Sequence, residues 1–198
     1  METMTDRERA DRIEGWAYFA AFVACVPLAN WMVAEVGTVC VPDGPCLVPL
    51  GFGMMVPSGV LMVGLALVLR DLVQRRLGTV WAAVAIAVGA VLSGLVAPPA
   101  LVLASVAAFA ISELVDLGVF TPLQRRGLVR AALLSSLAGL VVDSLVFLWL
   151  AFGSLDHLGG QVYGKTLMVL AALPLVWWVR RRDGRRVGPA ADPNGAAA

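Results

Sequence analysis

Lysine is almost missing from this chain: among 15 basic residues Lys165 is the one lysine, and the rest are arginine. Histidine is as scarce, with His157 alone. It stands beside Asp156 in a short polar stretch and reads as a solvated loop side chain, with a proton relay as the weaker alternative. No Walker, zinc or dinucleotide-binding signature is present. No nucleophile–base pair or metal-ligating cluster stands out, so we expect no enzyme, no catalytic residue, no metal and no cofactor. No loop is long enough to fold as a soluble domain. The N-terminus METMTDRERADRIEG lacks a basic segment leading into a small-residue cleavage site, so it does not read as a cleaved signal peptide. Acids and bases nearly cancel at a net charge of +1, so bulk charge says nothing about nucleic acid, and no nucleic-acid partner is expected.

What is there is apolar. Hydrophobic residues make up 60% of the chain and mean hydropathy is +0.84. Soluble domains sit near ~45–50% apolar. The expectation is an all-α, multi-pass membrane protein with one transmembrane domain at 16–179. A cytoplasmic N-terminal segment, 1–15, precedes it, and a basic, partly disordered cytoplasmic tail, 180–198, follows. A spanning helix needs about 20 mostly apolar residues. Six segments qualify, at 16–37, 50–69, 79–97, 99–120, 128–152 and 162–179. Pro98 and Pro99 break what would otherwise be one run too long for a single span. A five-helix count, with a re-entrant piece in 79–120, is the alternative.

The arginines favour six. Arg7, Arg9 and Arg12 precede the first span, Arg70, Arg75 and Arg76 follow the second, Arg125, Arg126 and Arg130 join the fourth and fifth, and Arg180, Arg181, Arg182, Arg185 and Arg186 follow the sixth. Six spans put every arginine on one side, which makes both termini cytoplasmic by the positive-inside rule. Lys165 alone falls on the other side. The arginine-for-lysine usage, with abundant alanine, glycine and valine, reads as bacterial, so the compartment expected is the bacterial inner membrane. Cys40 and Cys46 flank VPDGP in the first outer loop, where a disulfide and two free thiols are equally open. Cys25, mid-helix, reads as packing.

Several polar residues lie within the apolar spans. ASVAAFAISELVDLGVF (104–120) carries Glu113 and Asp116 three residues apart, so they share one helix face. Phe109 and Ser112 lie one turn above them. Asp143 sits near the middle of the fifth span, and Ala131, Ser135 and Gly139 precede it at four-residue steps, a face that lets another helix come close. Ser136 and Ser144 add hydroxyls, and Asn30 lies in the first span beside Trp31. Ionisable groups in a bilayer are costly and are relieved by partners, water or a cavity. Asp71 is expected to pair with arginine at the inner interface, Asp116 with Arg70, Arg125 or Arg126, and Glu35 to be solvated. Glu113 and Asp143 are deepest, with no basic residue expected at their depth. Carboxylates beside aromatic rings and hydroxyls suit a small planar molecule rich in N–H groups, a cation or a proton relay, and the residues alone do not choose. The small face Ala17, Ala20, Ala21, Ala24 of the first span is expected to pack within the fold, with a docking surface for a partner helix as the alternative.

Three blocks, PSGVLMVGLALVLRDLVQRRLG (57–78), ASVAAFAISELVDLGVF (104–120) and SSLAGLVVDSLVFLWLAF (135–152), resemble the VUT family, the YhhQ-like queuosine precursor transporters. The resemblance runs from about residue 50 to 179. RDLVQRRLG departs from the acidic, Tyr-Gly-containing stretch usual at that place. The resemblance implies a six-helix inner-membrane transporter, similar in shape to the substrate-binding subunits of energy-coupling-factor importers. Its expected cargo is a 7-deazaguanine precursor of queuosine, chiefly the 7-cyano compound or its aminomethyl relative. The motif residues it marks are Arg70, Asp71, Ser105, Phe109, Ser112, Glu113, Asp116, Ser136, Asp143 and Ser144. On that reading Glu113 or Asp143 accepts ring and exocyclic N–H groups, Phe109, Phe147 or Trp149 stacks, and Asn30, Ser112 or Ser136 serves the carbonyl, while Arg70, Asp71 and Asp116 form structural ion pairs. The partners expected are this purine-like base and the lipid bilayer, with a homo-oligomer or an energising module left open. The alternative function is a substrate-binding subunit of an ATP-driven importer for another small planar metabolite or vitamin.

Overall fold

The computed structural model describes residues 6–40, 46–51, 53, 55–97 and 99–186. Six long helices dominate: α1 (Asp6–Glu35), α2 (Val60–Leu77), α3 (Thr79–Val96), α4 (Val102–Leu123), α5 (Leu128–Phe152) and α6 (Leu158–Arg186). One turn of 3-10 helix, Pro99–Leu101, leads into α4. Between α1 and α2 lies a small antiparallel sheet of β1 (Val39–Cys40), β2 (Cys46–Pro49) and β3 (Met55–Pro57), in the order β1-β2-β3. Cys40 and Cys46 face each other in that sheet and are joined by a disulfide. The end of the basic tail, from residue 187, lies outside the described residues, as does the VPDGP loop; Arg180–Arg186 continue α6 as helix.

Five of the helices, α1, α3, α4, α5 and α6, are long and apolar enough to cross a membrane. The chain is therefore an all-α multi-pass membrane protein with a small sheet between its first two helices. Helix α2 differs because Arg70, Asp71, Arg75 and Arg76 fall within its 18 residues. It tolerates them because it stands in the middle: it packs against all five other helices. Its run from Ala66 to Gln74 is buried without a break. A helix enclosed by protein rather than lipid can carry charge where partners meet it.

The second span expected at 50–69 is instead strand and turn followed by helix. Val48 pairs with Val56 and Pro49 with Met55 across the β2–β3 turn, and Gly51 and Gly53 adopt φ of 88° and 73°. Positive φ is a glycine conformation that ends any helix. The stretch LVPLGFGMMVP is therefore a hairpin, and the apolar helix starts about ten residues later. That shift moves Arg70 and Asp71 from a helix end to the middle of α2.

Two glycines set helix spacing around the site. A Cβ on Gly64 would lie 2.6 Å from the Lys165 carbonyl oxygen, so α2 and α6 touch backbone to backbone there. A Cβ on Gly139 would lie 3.1 Å from Asp116 Cβ and 3.3 Å from the Ser112 carbonyl, which brings α5 onto the acidic face of α4. The main apolar core, including Leu67, Leu72, Phe120, Leu140 and Val176, fills the space among α2, α4, α5 and α6. A second cluster of Phe22, Cys25, Ala66, Leu69 and Ala85 joins α1, α2 and α3.

An ion network ties one end of the bundle. Arg76 meets Asp183 at 2.8 Å, Glu14 at 3.4 Å and Asp11 at 3.6 Å. Arg75 also reaches Asp183, at 3.3 Å, and Arg182 pairs with Glu14. The start of α1 and the ends of α2 and α6 therefore share one end of the molecule.

Candidate functional site: two buried charge clusters

Arg70 is the centre of the first cluster and is 0% exposed. Its position in mid-α2 aims the guanidinium at α4. Nη2 lies 2.6 Å from Asp116 Oδ1, Nε donates to Glu113 Oε2 at 3.1 Å, and Nη1 lies 2.9 Å from Asp71 Oδ1. Nη1 also donates to Gln74 Oε1 at 3.2 Å, and the guanidinium stands 5.8 Å from the Phe120 ring centre. Glu113 and Asp116 reach one cation because their three-residue spacing stacks them on one face of α4. Ser135 of α5 donates to Asp71 Oδ2 at 3.2 Å, and Gln74 donates to Thr121 at 2.9 Å. One cation thus holds three carboxyl groups from two helices. Breaking such a buried pair costs about 3–5 kcal/mol, because the remaining charge stays desolvated.

The second cluster joins α5 and α6. Lys165, 1% exposed, pairs with Asp143 and donates to Ser144 Oγ at 2.8 Å and Gln161 Oε1 at 3.0 Å. All three ammonium protons therefore have acceptors. The β2–β3 hairpin covers the same end of α6: a Cβ on Gly164 would lie 2.9 Å from Leu50 and one on Gly160 3.3 Å from Val56.

The expectation that no basic residue lies at the depth of Glu113 and Asp143 is overturned: Arg70 meets the first and Lys165 the second. The later start of α2 carries Arg70 inward. The earlier start of α6, at Leu158 rather than 162, carries Lys165 two turns into the helix. Gln74 and Gln161 also belong to these clusters, and the four-residue spacings of Arg70 with Gln74 and of Gln161 with Lys165 are their only sequence signal. Ser135, read as part of the small face leading to Asp143, instead donates to Asp71.

The other candidates divide. Ser112 is 3% exposed and its Oγ donates to the Phe109 carbonyl at 3.0 Å. Ser136 is 0% exposed and its Oγ has no hydrogen-bond partner; neither carboxyl oxygen of Asp116 has a hydrogen bond of good geometry, Oδ1 having only its charge contact with Arg70. Phe109 turns toward α1 and α3, its ring 6.0 Å from that of Phe22 and pressed over Gly89. Asn30 donates to the Val26 carbonyl of its own helix at 3.0 Å. Trp149 is 63% exposed on the outer surface of α5, apart from both clusters. Glu35, at the end of α1, is exposed, as expected. The small face of α1 does not pack inward: Ala17, Ala20, Ala21 and Ala24 are all exposed. Among the described residues no group of His, Cys, Asp and Glu could hold a metal ion.

Residues 95–179 match the model of a family described as "putative vitamin uptake transporter". The matched stretch holds α4, α5 and most of α6, with Glu113, Asp116, Ser136, Asp143 and Lys165 inside it, and leaves out α1, the hairpin and α2. No curated protein and no solved structure matches the chain.

Proposed function

We propose that this chain is a multi-pass importer of a small planar metabolite, with the 7-deazaguanine precursors of queuosine as its cargo and the two buried charge clusters on α2, α4, α5 and α6 as the groups that meet it. The supporting observation is the set of buried acceptors in the stretch similar to uptake transporters. Ser136 Oγ lacks a hydrogen-bond partner although fully buried, and Asp116, whose Oδ1 is held by Arg70, keeps Oδ2 without a hydrogen bond of good geometry. A buried polar atom left unpaired costs roughly 1–3 kcal/mol. A base carrying ring and exocyclic N–H groups would relieve that cost, and Glu113 or Asp143 would accept from it in exchange for Arg70 or Lys165. Stacking then falls to Phe147, half-buried on α5, since Phe109 turns toward α1 and α3 and Trp149 is exposed. Discrimination against a wrong base comes from leaving these acceptors unpaired again.

The orientation proposed puts the arginine-rich end, with both termini, in the cytoplasm of a bacterium. The test is a strain blocked in precursor synthesis, fed each deazaguanine and assayed for queuosine in its transfer RNA. The gene should restore the modification, and Glu113→Gln should lose it at normal membrane level. No rescue by any deazaguanine despite confirmed insertion would refute the cargo.

A second reading is favoured by the exposed alanines of α1. Ala17, Ala20, Ala21 and Ala24 form a smooth outward face on which another helix can lie closely. That suits a substrate-binding subunit docked to an ATP-driven module. Uptake by the protein expressed alone, in a host lacking such a module, separates the two: activity alone supports the self-sufficient carrier.

A further inference from the structure

The apolar part of α6 ends in Trp177, Trp178 and Val179, and Arg180, Arg181 and Arg182 follow at once. The two indoles are exposed, at 44% and 49%. The Arg181 guanidinium lies 3.5 Å from the Trp177 ring centre and that of Arg182 lies 4.8 Å from Trp178. These four side chains line a notch of about 170 Å³. That is far more than the roughly 10–15 Å³ that admits one water. Stacking on tryptophan holds each guanidinium flat and leaves its N–H groups free to donate.

Donors exceed acceptors here. Among the described residues no carboxylate pairs with Arg181. Arg182 has Glu14, yet its Nε–H finds no acceptor. Arg180, next in the chain, is exposed as well. A planar donor fork matches the oxygens of a phosphate group. From the notch an exposed apolar strip runs back along α6 through Pro174, Ala171 and Leu170, all on the face of Trp177. A free anion has no use for that strip, whereas an acyl chain does. Tryptophan also favours the headgroup level of a bilayer. We propose that this notch binds the phosphate of an anionic phospholipid, its chains lying along the Leu170–Pro174 strip, and so fixes the α6 end of the bundle at the membrane surface. The inference is independent of what the protein transports.

The experiment is native mass spectrometry and thermal unfolding of the purified full chain with phosphatidylglycerol, phosphatidylcholine or inorganic phosphate. Phosphatidylglycerol should be retained and stabilising at concentrations where phosphatidylcholine is not, and the preference should fade between low and high salt. Arg181→Ala, at an exposed position, should weaken phosphatidylglycerol binding about fivefold, the factor expected per basic residue at an anionic surface. Equal retention of the two lipids by the unaltered protein overturns the proposal. So does the same stabilisation by inorganic phosphate alone, or an Arg181→Ala protein with full selectivity.

Discussion

Replacing Lys165 by methionine isolates the second cluster. The substitution keeps the length of the side chain and removes the ammonium. Asp143, Ser144 Oγ and Gln161 Oε1 then lose their shared donor together. Removing one partner of a buried pair costs about 3–5 kcal/mol. The Asp143 side chain keeps 13% exposure, so water can reach it in part and the lower end applies, about 3 kcal/mol. For a chain of this size each kcal/mol moves the midpoint by about 2–4 °C, so Tm should fall by roughly 6–12 °C. The double variant Lys165→Met with Asp143→Leu removes both charges and should recover most of the loss, because an apolar pair of similar volume is close to neutral. Thermal unfolding of the four proteins of this cycle, in one detergent, is the assay. A single variant within 1 °C of the parent, or a double variant as unstable as the sum of the singles, would refute the reasoning.

Other expectations follow from the hairpin and the helix contacts. Alkylation should label no thiol of Cys40 and Cys46 until reductant is added, and two afterwards; replacing both by serine should cost about 2 kcal/mol, from a sequence separation of 6. Gly64→Ala should destabilise by about 1–3 kcal/mol, since its Cβ would meet the Lys165 carbonyl at 2.6 Å and force α6 away from α2. An unchanged Tm for Gly64→Ala would mean that the two helices are not in backbone contact.

Much of the fold is legible in hydropathy alone. Helix α5 occupies 128–152 as expected, and α3 and α4 part at the proline pair, because length and apolar content decide those elements without help from neighbours. The hairpin was not legible in that way. LVPLGFGMMVP is as apolar as a span, and only its two glycines mark the turn. The site was half legible. The three-residue spacing of Glu113 and Asp116 and the small face leading to Asp143 were visible as patterns within one helix. Their cations were not, because Arg70 and Lys165 come from other helices whose starting points differ from expectation by about ten and four residues. A shift of a few residues at 1.5 Å each is enough to move a charge from the surface to mid-depth. Trp149 shows the converse: an aromatic six residues on from Asp143 in the same helix can face outward when the helix turns it away.

The central claim is that the buried acids of α4 and α5 grip a flat, N–H-rich base. Equilibrium binding of 7-cyano-7-deazaguanine to the purified protein and to Glu113→Gln tests it most directly. A hydrogen bond to a charged group is worth about 1.5–3 kcal/mol, so the account predicts saturable binding by the parent and a loss of roughly tenfold or more in the variant. Equal affinity in two well-folded proteins, or no binding of any deazaguanine by the parent, would contradict it.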